Sequence, residues 1–259
     1  MSPSPAPAGR GARRIDLHTH STASDGTTPP DVLVREAAEA GLDVLALTDH
    51  DTTGGWAEAA RALPTGMTLV RGAEISCVAG GISLHLLAYL FDPANAAFAA
   101  ARRELRESRV GRAEKMARLL EDAGTGLTWA RVQQIAQGTI GRPHVAQALI
   151  EQGHVADVSG AFTPEWIGTG GRYYVDKLEL DAVSAVRLVV AAGGVAVFAH
   201  PGAVTRGRTV GDDVVLDMVA AGLHGLEVDH EDHDEATRRH YRGLARELDL
   251  PVGAPTARL

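Results

Sequence analysis

The chain has 259 residues, of which 45% are hydrophobic and 22% charged, and its formal net charge is −8. Such a chain can bury a sizeable core, and its acidity argues against broad electrostatic binding to nucleic acid or to an anionic membrane. Cys77 is the single cysteine, so an intrachain disulfide is excluded and a reducing, cytoplasmic setting is expected.

The N-terminal run MSPSPAPAGRGARR carries basic residues without an apolar segment, so it does not read as a secretory signal. Its Pro, Ala, Ser and Gly content predicts a disordered tail over residues 1–13. RIDLHTH follows as a strand. Ile15 and Leu17 would line one face and Asp16, His18 and His20 the other, with the two imidazoles about 7 Å apart along the strand. TPPDVLVREAAEAG reads as a helix with Thr28 as N-cap, Pro29 in its first turn and Gly41 as its stop. Next come the strand DVLALTDH, the helix TGGWAEAARALP, and the strands MTLVRGAEIS and GISLHLLAYL. Between Ala94 and about Leu178 the alternation gives way to one long charged helix, AARRELRESRVGRAEKMARLLEDAG, and to helical pieces around Trp129 and His144. An inserted helical cap at about 94–178 is expected. A helix from about Glu179 to Ala192, the strand GGVAVFAH, the helix GDDVVLDMVAAG, the strand HGLEVDH and a helix from about Asp234 to Leu248 follow. Strands alternating with helices predict an α/β fold with a mostly parallel sheet. About seven strands fit a small, irregular barrel over 14–259, interrupted by the cap. No window holds the ~18 uninterrupted apolar residues of a membrane span.

The residues that carry chemistry fall at the strand ends, where parallel α/β barrels build their sites. His18 and His20 end the first strand, Asp49 and His50 the second, and Glu74 the third. His85 lies in the fourth, His200 ends GGVAVFAH, and Glu227 and Asp229 lie near the end of the last. Histidine with carboxylate is the ligand set of Zn²⁺, Mn²⁺ or Fe²⁺, and a single cysteine excludes a thiolate zinc site. Single members have plainer readings. His85 alone could be a packed, hydrogen-bonded residue, and Asp49 could cap the following helix. An unpaired buried carboxylate at Glu74 would be costly, which favours a ligand there. His154, His224 and His240 read as surface or loop histidines.

DLHTHSTASDG, ALTDHD, GAEIS, HLLAY, GRPHVA and AHPG, in that order, resemble the PHP (polymerase and histidinol phosphatase) family of metal-dependent phosphoesterases, over about Arg14 to Leu250. The intact SDG, the GRPH and the helical insertion resemble its stand-alone nucleotide phosphoesterase branch. Members of that branch remove a phosphate from nucleoside 3′,5′-bisphosphates or trim short RNAs from the 5′ end. The resemblance implies a PHP-type barrel holding two or three divalent metals, Mn²⁺ foremost with Fe²⁺ or Zn²⁺ as alternatives. It places His18, His20 and Glu74 on a first metal, Asp25 and His50 on a second, and Glu74, His85 and His200 on a third. Arg142 and His144 of GRPH would reach the phosphate from the cap, and His233 would protonate the leaving group. A solvated arginine and a solvated polar loop are the plainer readings of Arg142 and His233. Asp16 and Asp49 are candidates for orienting the ligating imidazoles.

The family closes with a strand and a Gly-Ser-Asp-x-His-type turn that supplies an aspartate to the first metal and a histidine to the second. Here LDLPVGAPTARL has no Asp or His after Asp249. The carry-over leaves the first metal three of four protein ligands and the second two of three, with the last strand incomplete. The implied function is metal-dependent hydrolysis of phosphate esters of small nucleotides or of short 5′-phosphorylated oligonucleotides. A non-catalytic metal- or nucleotide-binding remnant and a histidinol-phosphate-type phosphatase are the alternatives.

Overall fold

The computed structural model describes residues 13–136, 138–204 and 208–252. The tail expected over residues 1–13 lies, apart from Arg13, outside the described residues, as does the sequence after Val252.

Three strands open the fold. β1 (Ile15–Thr19), β2 (Val44–Leu47) and β3 (Thr68–Ala79) pair in parallel, with α1 (Pro30–Glu39) and α2 (Trp56–Ala62) as crossovers. In α1 the buried residues are Pro30, Leu33, Val34 and Ala37, the i, i+3, i+4, i+7 stripe of a helix docked on a sheet. Pro29 takes the N-cap place expected of Thr28, with Pro30 in the first turn and no side-chain cap. The helix still stops at Gly41, whose φ of 80° suits glycine.

At β3 the sheet stops being parallel. A two-residue turn, Gly80-Gly81, with positive φ at both positions, folds the chain into β4 (Ile82–Tyr89), antiparallel to β3. β6 (Val195–Phe198) pairs antiparallel to β4, and the two-residue β7 (Gly225–Leu226) pairs parallel to β6. β5 (Leu180–Asp181) adds to the far end of β3. The result among the described residues is the expected α/β fold of seven strands, an irregular, curled half-barrel whose path runs β1-β2-β3-β4-β6-β7, with β4 antiparallel to both of its neighbours. Val252 bridges to Leu226 beside β7.

Helices α7 (Ala182–Ala191), α8 (Asp212–Ala220) and α9 (Glu235–Glu247) cover the later strands. The convex side packs into one large apolar cluster that includes Leu45, Ile75, Leu86 and Phe198. On the concave side Ala46, Leu87, Tyr89 and Ala199 form a small apolar floor.

α3 (Ala96–Asp122), α4 (Trp129–Ile135), α5 (Arg142–Glu151) and α6 (Val158–Ala161) occupy the stretch where alternation fails. They have their own apolar cluster, with Met116, Leu120, Val145 and Leu149 among its members. α3 links it to the barrel, because Phe98 and Leu105 belong to the barrel cluster and Ala113 to Leu120 to the other. No helix among the described residues is long and apolar enough to cross a membrane.

Candidate metal centre

β1 is not a regular strand. Its register against β2 slips between Asp16 and Thr19, a bulge of the kind that re-aims side chains, so the simple alternation drawn from RIDLHTH is corrected. The Tyr89 hydroxyl crosses the concave side to donate to the Leu17 carbonyl at 2.8 Å. His18 and His20 still converge, with their Nε2 atoms 3.2 Å apart.

They converge on Glu74. This residue does not end its strand as the sequence suggested. It lies inside β3, level with the end of β2, where His50 makes a bridge to it. β3 runs on past the mouth and carries β4 with it, which is how His85, on an antiparallel strand, reaches the site. Five imidazoles surround the Glu74 carboxylate. His18 Nε2, His20 Nε2 and His50 Nδ1 lie 3.2, 3.0 and 3.3 Å from Oε2, while His85 Nδ1 and His200 Nε2 lie 2.9 and 3.0 Å from Oε1. Glu74 is 1% exposed. Burial alone would raise its pKa, but the surrounding imidazoles of His85, His50 and His18 outweigh that and hold the carboxyl well below its usual range.

Asp25 stands 3.6 Å from His20 and 3.5 Å from His50, too far for good hydrogen bonds. Its loop is drawn tight by Asp49, which accepts the Ser21 N–H at 2.7 Å, the Ser21 hydroxyl at 2.7 Å and the Ser24 hydroxyl at 2.6 Å. Gly26 closes the loop so closely that a Cβ there would lie 2.4 Å from the His20 carbonyl oxygen. Asp49 thus grips the SDG loop through its serines, and Asp16 accepts the backbone N–H of His18 at 3.0 Å.

Among the described residues, four groups of side chains bring ligand atoms close enough for one ion: His18-His20-Glu74, His20-Asp25-His50, His50-Glu74-His85 and His18-Glu227-His230. The first reproduces a set expected from the resemblance, and the next two redistribute the rest. The fit to metals also rests on orphaned atoms. The Nδ1 atoms of His50 and His85 are buried and, although they face the Glu74 oxygens at 3.3 and 2.9 Å, neither makes a well-aligned hydrogen bond, whereas a buried polar atom ordinarily has one. Burial, then the Arg109 charge, pushes His50 well below its usual range, and burial likewise lowers His85. Neutral imidazoles are what a cation needs.

A second group of candidate residues comes from α3 and its neighbours. Its buried stripe reads Phe98, Arg102, Leu105, Arg109, Arg112, Met116, Leu120, with arginines where the helix passes from one core to the other. Arg109 Nε donates to Asp51 at 2.5 Å and Arg109 Nη2 to the Ser76 hydroxyl at 2.6 Å. Arg112 is buried, and its Nε has no partner. Burial, then the charges of Arg142 and Arg109, pushes its guanidinium down to about 9. Lys177, paired with Glu179 at 2.7 Å, is pushed down to about 8 by burial and by Arg109, and its charge acts on His85. Arg142 lies over Phe162 at 4.8 Å, with Tyr174 at 5.8 Å. His144 accepts the Gly141 N–H on Nδ1 at 3.0 Å, so the neutral ring carries its proton on Nε2.

His233 stands apart. Its Nδ1 is 2.8 Å from the Val228 carbonyl and its Nε2 accepts the Gly202 N–H at 3.1 Å. Both ring nitrogens are engaged by backbone, so His233 ties two loops together. His154, His224 and His240 bond to Thr125, Ala196 and Asp212 respectively, as bystanders would. Glu227 was placed at a strand end without a specific role, and His230, Arg109, Arg112 and Lys177 were not singled out at all. Only the arginines had a legible signal, their helical spacing in line with Phe98, Leu105 and Met116.

Histidines and carboxylates that fit divalent ions, with buried cations nearby, are the means of metal-dependent phosphoester hydrolysis, and that is the class of hydrolase the fold and site define. A PHP domain model matches residues 16–121. A 3′,5′-nucleoside bisphosphate phosphatase of Chromobacterium violaceum is 40% identical over 85% of this chain and 78% of its own length. A 5′-3′ exoribonuclease of Haemophilus influenzae is 34% identical over 92% of this chain and 87% of its own. A Bifidobacterium adolescentis structure assigned to the metal-dependent phosphoesterases superposes with a TM-score of 0.89 at 34% identity, over 95% of this chain and 87% of that one. The chain belongs to the PHP domain family.

Proposed function

We propose that the protein hydrolyses phosphate esters of small nucleotides, of the nucleoside 3′,5′-bisphosphate type, or trims short 5′-phosphorylated oligonucleotides, using two or three divalent ions with Mn²⁺ foremost. The observation that carries the reading is the buried Glu74 carboxylate ringed by five imidazoles, two of them with orphaned nitrogens. His18, His20, Asp25, His50, Glu74, His85 and His200 would hold the ions. Ions bound there would supply a nucleophile from water at neutral pH and offset charge on the phosphoryl group.

The chain's own residues do the rest. Arg109, Arg112, Arg142 and Lys177 present positive charge with Asp51 and Glu179 as counter-charges, so a substrate carrying more than one anionic group is favoured. The helical stretch at 94–178 serves as a cap that keeps these cations in a low-dielectric setting, where they act most strongly on phosphate. His144, with its proton on Nε2, is placed to donate to the phosphoryl or leaving oxygen. The single cysteine, buried Cys77, supports a reducing, cytoplasmic setting.

The test is to incubate the Mn²⁺-loaded chain with a nucleoside 3′,5′-bisphosphate, with 5′-phosphorylated di- and trinucleotides, and with histidinol phosphate at matched concentration. Release of phosphate or mononucleotide from the first two, faster than from histidinol phosphate, is expected. Absence of product from all three by a chain that holds its metals would reject catalysis and leave a metal-binding protein.

A further inference from the structure

Glu227 directly follows the last strand, β7, and belongs to none of the ligand sets implied by the family resemblance. It is 2% exposed. Its two oxygens lie 3.0 and 3.2 Å from His18 Nδ1, and Oε2 also accepts the His200 backbone N–H at 2.8 Å. Its own N–H donates to the Phe198 carbonyl at 2.9 Å, which fixes it beside the end of β6. His18 is on β1 and Glu227 follows β7, the two ends of the strand path. This one carboxylate therefore joins the two margins of the half-barrel at its mouth. His200, at the other contact, has a φ of 29°, a conformation that needs outside support in a residue with a side chain.

We infer that Glu227 is the positioning residue of the centre: by holding the Nδ1–H of His18 and the backbone N–H of His200, it turns both rings so that Nε2 faces Glu74. The observed Nε2 contacts to Glu74, 3.2 Å for His18 and 3.0 Å for His200, are the consequence. Carboxylates that fix the far nitrogen of a ligating histidine set its tautomer and raise its basicity. A metal held between His18, Glu227 and His230 is the competing use of the same atoms. It would have to displace the Nδ1 proton of His18 and share an oxygen that already takes the His200 N–H. The inference rests on the metal reading proposed above, because it concerns two candidate ligands of that site.

The experiment compares wild type with Glu227→Ala, Glu227→Gln and His230→Gln, read by two methods. In ¹⁵N-histidine spectra of the metal-free protein, the His18 Nδ1–H, assigned through His18→Gln, should be protected from solvent exchange. Glu227→Ala should lose that protection. Glu227→Gln should keep it, because an amide oxygen still accepts, while its other end cannot accept the His200 N–H. Mn²⁺ affinity, measured by chelator competition, should fall about 10- to 100-fold in the alanine variant and less in the glutamine variant. The spectra report the Nδ1–H contact to Glu227 even if no metal binds, so failure here is distinct from failure of the hydrolase reading. Unchanged protection and affinity in a folded Glu227→Ala protein would overturn the inference. Should that variant not fold, Glu227→Gln without Nδ1–H protection would do so. Loss of one bound metal in His230→Gln would also overturn it, by placing an ion on the Glu227 side.

Discussion

Arg112→Met should make the protein more stable and a poorer catalyst at once. Arg112 is 4% exposed, its Nε has no partner, and burial together with Arg142 and Arg109 pushes its guanidinium from 12.5 down to about 9. That depression corresponds to a penalty on the charged form on the order of 5 kcal/mol. Relaxation and water entry reduce such penalties, and about 1–4 kcal/mol is the range found when buried charges give way to apolar groups. With an unfolding entropy of about 2.1 cal/mol/K per residue, this raises the Tm of the metal-free protein by about 2–7 °C. The sign with pH follows from the folded pKa being lower than the unfolded one. The penalty is complete below about 9 and shrinks as pH rises beyond it, so the Tm advantage of the variant should shrink there too. Catalysis should move the other way. Loss of one charge-assisted hydrogen bond to phosphate is worth about 1.5–3 kcal/mol, or about 10- to 150-fold in kcat/KM. Calorimetry and steady-state kinetics on the same preparation test both halves. A variant with lower Tm and unchanged kcat/KM would refute the reasoning, because Arg112 would then be an ordinary packing residue.

Other predictions address the centre itself. Glu74→Gln should leave at most one metal per chain by elemental mass spectrometry and should destabilise the metal-free fold by about 3–5 kcal/mol, because five imidazoles lose their common anion. His144→Gln should lower kcat by about 10²–10⁴ with a much smaller change in KM, if its Nε2–H donates in the transition state. Against burial, Glu74 and Glu227 raise His18 from 6.5 to about 10, so its contribution to metal-free stability is complete below 6.5 and is lost as pH rises through about 10. Also against burial, His18 lowers Glu227 to about 2, so its contribution holds above 4.5 and is lost as pH falls through about 2. Urea midpoints of the metal-free protein should therefore decline on both sides of a plateau near pH 5–6.5, and a flat profile from 6.5 to 10 would contradict the His18 assignment. Gly26→Ala should cost about 1–3 kcal/mol, read as a lower Tm, since its Cβ would lie 2.4 Å from backbone oxygen.

The alternation of apolar strands and helices with Gly stops made β1, α1, β2 and α2 legible, because each is set by local pattern. The direction of β4 was less so. Gly80-Gly81 between two strand-like runs is a hairpin signal, yet a barrel built from parallel strands has no place for it. His85 was accordingly placed in the fourth strand without an account of how it reached the others. The ligand residues were legible as chemistry: histidines with carboxylates at strand ends. Their exact company was not, because which imidazole meets which oxygen depends on the slip in β1 and on how far β3 overruns β2. The surroundings of His233 were hidden for another reason. A histidine in the polar run DHEDH looks available from sequence, and only the fold shows backbone on both its nitrogens.

α3 shows why the cationic residues were hidden. Its charged sequence reads as a solvated helix, and by composition it is one. Helical spacing nevertheless puts Arg102, Arg109 and Arg112 in register with Phe98, Leu105 and Met116, so these arginines are buried along with them. Arg102 is covered by Phe91 and Phe98 and donates to the Pro93 carbonyl, and Arg109 has Asp51. For Arg112 burial and the like charges of Arg142 and Arg109 outweigh the favourable pull of Tyr174 and Glu179. A guanidinium held that way costs stability in the free protein, and on the proposed reading an anion beneath the helix would supply its partner. Burial that costs stability without a ligand is expected where binding energy is to be drawn from the ligand's charge. The same position should therefore be the one at which added phosphate raises Tm in wild type and fails to do so in Arg112→Met.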